Sequence, residues 1–214
     1  MSNSSSRKSL LAQVDKRWLG AGLAAAGAAV AADQASAAIV HSAPVGGVNV
    51  PSTFAGVYVN MENGLTGGSQ GATPGWDINP YGITYLRHFT PVGGGTKGTA
   101  TTYFNLPVGN QICPTDTFDT GVSSANDAAF PNNLNSTNNL YGVRLVLADL
   151  SVHMGWFRME LGGTGGAQPR NIIEWAYETD PQACIGAGVV PEPGSLSLLA
   201  AGAIGLVARR RRQS

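Results

Sequence analysis

The feature that most constrains this chain is a short apolar segment close to its C-terminus. Every residue from Leu196 to Ala208 is Leu, Ala, Gly, Ile, Val or Ser, so a helix there can bury its surface in lipid with its backbone hydrogen bonds satisfied. A helix over the roughly 15 residues from Gly194 to Ala208 reaches about 22 Å, whereas the hydrocarbon core of a bilayer is about 30 Å thick. The segment therefore predicts a transmembrane helix that acts as a temporary stop rather than as a durable anchor.

The residues on either side of this segment give it a direction. Four arginines follow it: Arg209, Arg210, Arg211 and Arg212. The positive-inside rule places this membrane-stop cluster in the cytoplasm, so the rest of the chain lies across the membrane. Pro191, Glu192 and Pro193 precede the segment, and the prolines keep this stretch extended, where a processing enzyme can bind it. The alternatives are an ordinary C-terminal membrane helix, or a core helix followed by a basic tail.

The N-terminus has the pattern of an export signal. Basic residues at positions 7, 8, 16 and 17 precede an apolar run from Trp18 to Ala32. Small residues suited to signal peptidase follow at Ala35, Ala37 and Ala38, and cleavage after Ala37 or Ala38 fits this pattern. An uncleaved anchor is the alternative, but the weakly hydrophobic run is short for a membrane span. Residues 1–38 thus predict a signal peptide, with the export translocon and signal peptidase as partners.

The C-terminal pattern closely resembles the PEP-CTERM sorting domain. The resemblance rests on Val190-Pro191-Glu192-Pro193, the apolar helix and the terminal arginines, over roughly residues 190 to 212. In that family the tail is removed by exosortase, an integral-membrane enzyme of Gram-negative bacteria that also make exopolysaccharide. The resemblance implies export across the inner membrane, a membrane-anchored precursor, and delivery to the cell surface or extracellular matrix. It implies no single biochemical activity.

The overall charge balance changes once the two signals are set aside. The chain has 13 basic and 13 acidic residues, but eight basic and three acidic residues belong to the terminal segments. The exported part is therefore net negative by about five charges, which argues against nucleic acid as a partner and favours solubility.

The remaining residues predict one all-β domain. Short β-prone runs are separated by Gly, Asn, Pro and Ser clusters, and no capped helical period occurs between residues 38 and 190. We expect a single antiparallel β-sandwich at 39–181, of which a jelly roll is one form, then a linker at 182–190 and the sorting signal at 191–212.

Residues 130–140 are asparagine-rich and predict an exposed loop. Leu150 and Ser151 indicate either a tight hairpin or one long bent strand. The predicted strands are Ala55–Met61, Tyr81–Phe89, Thr99–Leu106, Tyr141–Leu150, Val152–Leu161 and Ile172–Glu178.

The only two cysteines, Cys113 and Cys184, lie in the exported part. An oxidising compartment favours a disulfide between them. Two free thiols are the alternative, because the related exported proteins often have Gly and small residues around position 184.

Residues that could support catalysis or metal binding are few. His41, His88 and His153 are isolated in the sequence, and His88 and His153 are expected on strand surfaces. Glu160 and Glu174 would be the first carboxylate pair to consider for a glycoside hydrolase. The sequence predicts no catalytic residue, no cofactor and no metal site.

Aromatic residues leave a second function open. Trp76, Trp156 and Trp175 either stack on sugars or fill the core, and the core is the more common place for tryptophan. We therefore expect a non-enzymatic surface or exopolysaccharide-matrix protein that is in the membrane only transiently. A carbohydrate-binding β-sandwich that contacts exopolysaccharide is the alternative, followed by a secreted glycoside hydrolase.

Overall fold

The structure is a computed structural model that describes residues 38–99, 102–103, 105–120, 122–124, 132–164 and 166–190. These residues form strands and no helix, and every strand pairing is antiparallel. The predicted all-β antiparallel fold is confirmed. The two terminal helices were predicted for segments that lie outside the described residues. In chain order the strands are β1 (Ile39–Ser42), β2 (Val48–Asn49), β3 (Tyr58–Val59), β4 (Thr66–Gly67), β5 (Asn79–Tyr81), β6 (Arg87–Phe89), β7 (Gly95–Thr99), β8 (Thr102–Tyr103), β9 (Gln111–Ile112), β10 (Phe118–Asp119), β11 (Val122–Ser124), β12 (Ser136–Val146), β13 (Val152–Leu161), β14 (Arg170–Glu178) and β15 (Ile185–Gly186).

The largest sheet is built around three long strands that follow one another along the chain. Its order is β1-β14-β13-β12-β7-β10, with β2 also paired to β14 and β8 to β7. Smaller sheets are formed by β11-β6-β5, by β15-β9 and by β3-β4. The predicted strand Val152–Leu161 coincides with β13, and the alternation that predicts it runs from Gly155 to Leu161.

Both faces of the central sheet are buried. Tyr141, Val143 and Leu145 of β12 lie on one face and pack against apolar residues between positions 50 and 86. Trp156 of β13 lies on the other face. This second core is completed by Leu106, Ile112, Leu140, Met154, Ala176, Ile185 and Ala187. The period of two along each strand thus supplies two cores, one on each side of the sheet. The sandwich and its jelly-roll form remain predictions.

A tight hairpin joins β12 to β13. Val146 pairs with Val152, and the Leu150 amide donates to the Leu147 carbonyl at 2.9 Å. Leu150 has a φ of 68°, the left-handed region that such a turn requires. Of the two alternatives for Leu150 and Ser151, the structure adopts the hairpin.

A β-bulge in β14 places Ile172 on the same face as Trp175. Arg158 pairs with Glu174, but the next residue, Met159, pairs with Ile172, so Ile173 is the extra residue. The bulge lets Ile172 and Trp175 both enter the first core although they are three positions apart.

The loop predicted at 130–140 is wrong for its second half. Residues 136–140 belong to β12, and Asn139 is fully buried. The Asn139 side chain donates to the Asn133 carbonyl at 3.0 Å and accepts from the Asn133 amide at 2.7 Å. A buried amide can satisfy backbone groups beside an irregular strand start, so an asparagine-rich segment does not require a loop here.

Arg170 of β14 forms hydrogen bonds that hold the segment before β3, and the turn after β5, against the largest sheet. Its fully buried guanidinium donates to the carbonyl oxygens of Pro51 at 2.7 Å and Gly82 at 3.0 Å. Gly82 has a φ of 114°, and a Cβ there would lie 2.1 Å from the Tyr85 carbonyl oxygen. This turn therefore requires glycine.

Candidate functional site

The last described residues form a segment, here called the strap, that comprises Ile185 to Val190. Within it, β15 pairs with β9, with Ile185 opposite Ile112. The Gly109 amide donates to the Ala187 carbonyl at 2.8 Å, and the Ala187 amide donates to the Asn110 carbonyl at 2.9 Å. Residues 182–190, predicted as a linker, therefore include a hydrogen-bonded strand.

The strap also closes the second core. Ile185 and Ala187 are almost completely buried there. The indole Nε1 of Trp156 donates a hydrogen bond of 3.2 Å to the Val189 carbonyl oxygen. Gly188 has a φ of 70° and lies so close to Leu140 that a Cβ would come within 3.0 Å of its Cδ1. The backbone as far as Val189 is thus fixed to the domain.

A disulfide holds the beginning of the strap. Cys184, the residue before β15, is bonded to Cys113, the residue after β9. The turn after Cys113 is held by Asp116, whose Oδ2 accepts from the Cys113 amide at 2.7 Å and from Lys97 Nζ at 2.8 Å. Burial raises the pKa of Asp116, but these two partners outweigh it and lower the pKa below its ordinary value.

The predicted sorting residues follow the strap directly. Pro191 comes next after Val190, and Pro191, Glu192, Pro193 and the four terminal arginines lie outside the described residues. Of the predicted signal-peptidase residues, Ala35 and Ala37 also lie outside, whereas Ala38 begins the described chain. The Thr179 amide donates to the Ala38 carbonyl oxygen at 3.0 Å, which places the start of the domain beside the end of β14.

A groove on the first-core side forms a second candidate site. Two adjoining hollows of about 750 and 520 Å³ share the residues Trp76, Pro91 and Val92 along their common edge. The larger hollow is also lined by Asn60 and Glu62. Concave sites of this size with an aromatic residue and a few polar groups are typical of small-ligand binding. We call this feature the Trp76 groove.

Aromatic contacts fix the orientation of Trp76. Its ring centroid lies 5.0 Å from that of Tyr58 in an edge-to-face arrangement and 5.1 Å from that of Phe89. All three rings are half-buried. Trp76 therefore has a rigid position and a partly exposed surface beside polar side chains, which suits stacking on a flat apolar ligand face.

The wall of the groove is supported by two polar residues. The Asn60 side chain accepts from the amides of Glu62 and Asn63, each at 3.0 Å, and donates to the Pro74 carbonyl at 3.0 Å. Asp77 lies beneath and accepts from the Met61 amide at 2.7 Å. Burial raises the pKa of Asp77 to about 7, against the opposing effect of the Met61 hydrogen bond. Asp77 does not line the groove, so it can affect the groove only by holding the backbone at Met61 in place.

The other tryptophans fill the interior. Trp156 is fully buried and Trp175 is 2% exposed, with its Nε1 bonded to the Met61 carbonyl at 3.1 Å. For these two residues the core alternative is the right one. Trp76 is the residue whose position leaves the sugar-stacking alternative open, and nothing in its sequence neighbourhood distinguishes it from the others.

The carboxylate pair considered for hydrolysis is already engaged in side-chain contacts. Glu174 accepts from Arg158 Nε at 2.6 Å and contacts His41 Nε2 at 2.9 Å. Glu160 accepts from Asn171 at 2.7 Å. These contacts tie both carboxylates to neighbouring strands.

Two histidine predictions are wrong. His88 and His153 are buried, not on strand surfaces, because each is on a strand face that packs into the domain. His88 lies against the rings of Tyr141 and Phe157. Burial, followed by the charge of Arg170, lowers the pKa of His88 to about 3. Within the described part of the chain, no group of three His, Cys, Asp or Glu residues could bind a metal ion.

Comparison with known proteins concerns the C-terminal end. Residues 189–212 match the family model of the PEP-CTERM protein-sorting motif, which confirms the resemblance seen in the sequence. The match implies export, a membrane-anchored precursor and processing by exosortase. No curated protein and no solved structure matches the chain. Among the described residues, none belongs to a helix long and apolar enough to cross a membrane.

Proposed function

We propose that this chain is a non-enzymatic exported protein that exosortase processes and that then resides at the cell surface or in the exopolysaccharide matrix. The observation that supports this most directly is the sorting motif at residues 189–212, attached without a spacer to an all-β domain. Residues 1–38 act as the signal peptide through the translocon and signal peptidase. The helix before the arginine cluster holds the precursor in the inner membrane until exosortase acts.

The test replaces Pro191, Glu192 and Pro193 with alanine in the native host. The variant should accumulate as an unprocessed precursor in the inner membrane, because the extended motif is lost. Replacing the exposed residues Ser69, Gln70 and Gly71 with alanine is the matched control, which should be processed like the native chain. Equal processing of the motif variant and the control would refute the sorting function.

A second candidate function is carbohydrate binding by a β-sandwich at the Trp76 groove. It is favoured by the half-exposed, rigidly packed Trp76 ring, which borders both hollows. Sugar rings present apolar C–H faces to aromatic rings and hydroxyl groups to amides and carboxylates, which are the groups at Asn63, Glu62 and Gln70. The open groove favours a segment of a polysaccharide, and exopolysaccharide is the partner that export would bring to it.

This candidate is tested by retention of the mature domain on immobilised exopolysaccharide from the native host. Trp76→Ala should reduce retention at least tenfold. Phe54→Ala is the matched control, because Phe54 is 76% exposed and lines neither hollow of the groove. A thermal melt of both variants shows that the domain is folded. Retention of Trp76→Ala equal to that of Phe54→Ala would eliminate this candidate.

A further inference from the structure

The sorting motif and the folded domain overlap in the sequence. The motif match begins at residue 189, whereas the strap is hydrogen-bonded to the domain as far as Val189. Before Pro191, the Val189 carbonyl is paired with Trp156 Nε1, and the Ala187 carbonyl and amide are paired with Gly109 and Asn110, so these backbone groups are not available to an enzyme while the strap is docked. A peptide that an enzyme binds in an extended form is recognised largely through its main-chain hydrogen bonds.

The length of chain between the docked strap and Glu192 also restricts access to the sorting motif. An extended chain spans at most about 3.3 to 3.6 Å per residue, so three residues allow a reach of no more than about 11 Å from Val189 to Glu192. A domain of this size is about 35 Å across. A bulky domain on so short a tether would collide with a membrane-embedded enzyme before Glu192 reached any recessed active site.

The strap has few contacts that oppose its detachment. Strand β15 has two residues, pairs only with the equally short β9, and lies outside the central sheet. Its burial rests on two side chains, Ile185 and Ala187, and local units with few buried contacts open most readily. The central pairings of β12, β13 and β14 do not depend on it.

The disulfide limits how far such opening can extend. Cys184 is covalently tied to Cys113, so detachment that begins at Val190 ends at Ile185. Release of the strap lets Glu192 reach about 28 Å from Cys184, since eight residues are then extended. The rest of the second core, including Leu140 and Ala176, remains on the fixed side of the bond.

We propose that the strap must detach from the domain for exosortase to process the tail, and that the Cys113–Cys184 bond sets the length of chain released. Trp156 is a positioning residue for this step, because its Nε1 holds Val189 in the docked state. After cleavage the strap docks again and closes the second core of the mature protein. This inference rests on the proposed function, since it concerns access to the sorting motif.

The test uses the full-length chain in the native host. Gln111→Cys with Gly186→Cys places cysteines at directly paired positions of β9 and β15. In this locked chain their disulfide moves the last fixed residue from Cys184 to Gly186, so that six residues instead of eight can extend to Glu192, about 20 Å instead of about 28 Å. A second variant adds a spacer of eight Gly and Ser residues between Val190 and Pro191 of the locked chain. Gln111→Ser with Gly186→Ser is the matched control without a crosslink. Intact mass gives the processed fraction and reports both disulfides.

The locked chain should be processed at least tenfold less than the serine control, and the spacer should restore processing to within about twofold. Native processing of a chain whose crosslink is verified by mass would overturn the proposal. The proposal would also be overturned if the locked chain stayed unprocessed with the spacer, because the short distance from the domain to Glu192 would then not be what prevents processing. The alanine variant of Pro191, Glu192 and Pro193 runs in parallel: if it is processed normally, the sorting function itself fails, whatever the locked chain does.

A variant without added cysteines provides an independent measurement. Trp156→Phe removes the donor to Val189 while retaining an aromatic ring, and it should raise the initial rate of processing about fivefold, the effect of one hydrogen bond. With the spacer present, Trp156→Phe should have no effect on the rate. An unchanged rate in the chain without the spacer would contradict the role assigned to Trp156.

Discussion

The indole Nε1 of Trp156 donates a 3.2 Å hydrogen bond to the carbonyl oxygen of Val189. Trp156 belongs to β13 in the middle of the largest sheet, and Val189 is the first residue of the matched sorting motif. The interior of the β domain is therefore bonded directly to the first residue of the sorting motif. Stability of the second core and access to the sorting motif depend on the same contacts.

Replacing Trp156 with Phe should loosen the strap in the mature domain. One hydrogen bond contributes about 1 kcal/mol, so we expect the Ala187 amide to exchange with deuterium about fivefold faster. Amides of β13 serve as the internal control, because the smaller ring also leaves space in the core. Acceleration of the Ala187 amide no greater than that of β13 would indicate general destabilisation instead.

Removing the disulfide should lower the free energy of unfolding of the mature domain. Cys113 and Cys184 are separated by 71 residues, for which the chain-entropy model gives a stabilisation of roughly 4 kcal/mol. Cys113→Ser with Cys184→Ser should therefore shift the urea midpoint downward, and native protein under reductant should match the variant. A loss below about 1 kcal/mol would show that the bond constrains the unfolded chain little.

Two buried groups should give opposite pH dependences. The pKa of Asp77 is raised to about 7, so its contribution lowers stability as pH rises from about 4 to 7. The pKa of His88 is lowered to about 3, so its contribution raises stability as pH rises from about 3 to 6.5. Between pH 4 and 6.5 the folded domain keeps a proton on Asp77 that the unfolded chain loses. Over the same range the folded domain lacks a proton on His88 that the unfolded chain binds. The two contributions to the slope of stability against pH therefore have opposite signs.

Asp77→Asn should expose the His88 slope. The amide keeps an oxygen for the Met61 amide but removes the titration, so stability should fall on acidification from pH 6.5 to 4 by on the order of 1.4 kcal/mol per pH unit. Urea unfolding of the native and variant domains across this range measures it. The same slope in both proteins would show that Asp77 titrates normally in the fold.

Arg170→Lys should destabilise the domain although it keeps the charge. The guanidinium donates to the carbonyls of Pro51 and Gly82 in two directions at once, which a single ammonium on a flexible stem does not reproduce. We expect a loss of about 2 to 4 kcal/mol, as for other disrupted buried polar networks. Arg87→Lys, at a half-buried position, is the control and should cost less than about 1 kcal/mol.

The sequence predicted the fold best where the apolar pattern was regular. Strand β13 alternates from Gly155 to Leu161 and both of its predicted ends agree with the structure, and the all-β antiparallel fold followed from such patterns. Shorter strands such as β9 and β15 have two residues each, too few for a period to be recognised. At Asn139 the sequence predicted a loop where the structure has a strand. An asparagine that bonds backbone groups inside a strand cannot be distinguished by sequence from an asparagine in a loop.

The candidate sites also differ in whether the sequence alone could predict them. The sorting motif is a local pattern and could be read directly from the sequence. The strap could not, because its docking depends on Trp156 and β9, which are distant along the chain. Nor could the position of Trp76, since only packing against Tyr58 and Phe89 leaves its ring half-exposed while Trp156 and Trp175 are buried.

The intact mass of the protein from the native host, compared with that from a strain lacking exosortase, tests the central claim most directly. The native host should yield a chain that begins after Ala37 or Ala38 and lacks the terminal helix and arginine cluster. The strain without exosortase should yield a chain that extends to Ser214 and fractionates with the inner membrane. The same C-terminus in both strains would contradict the account.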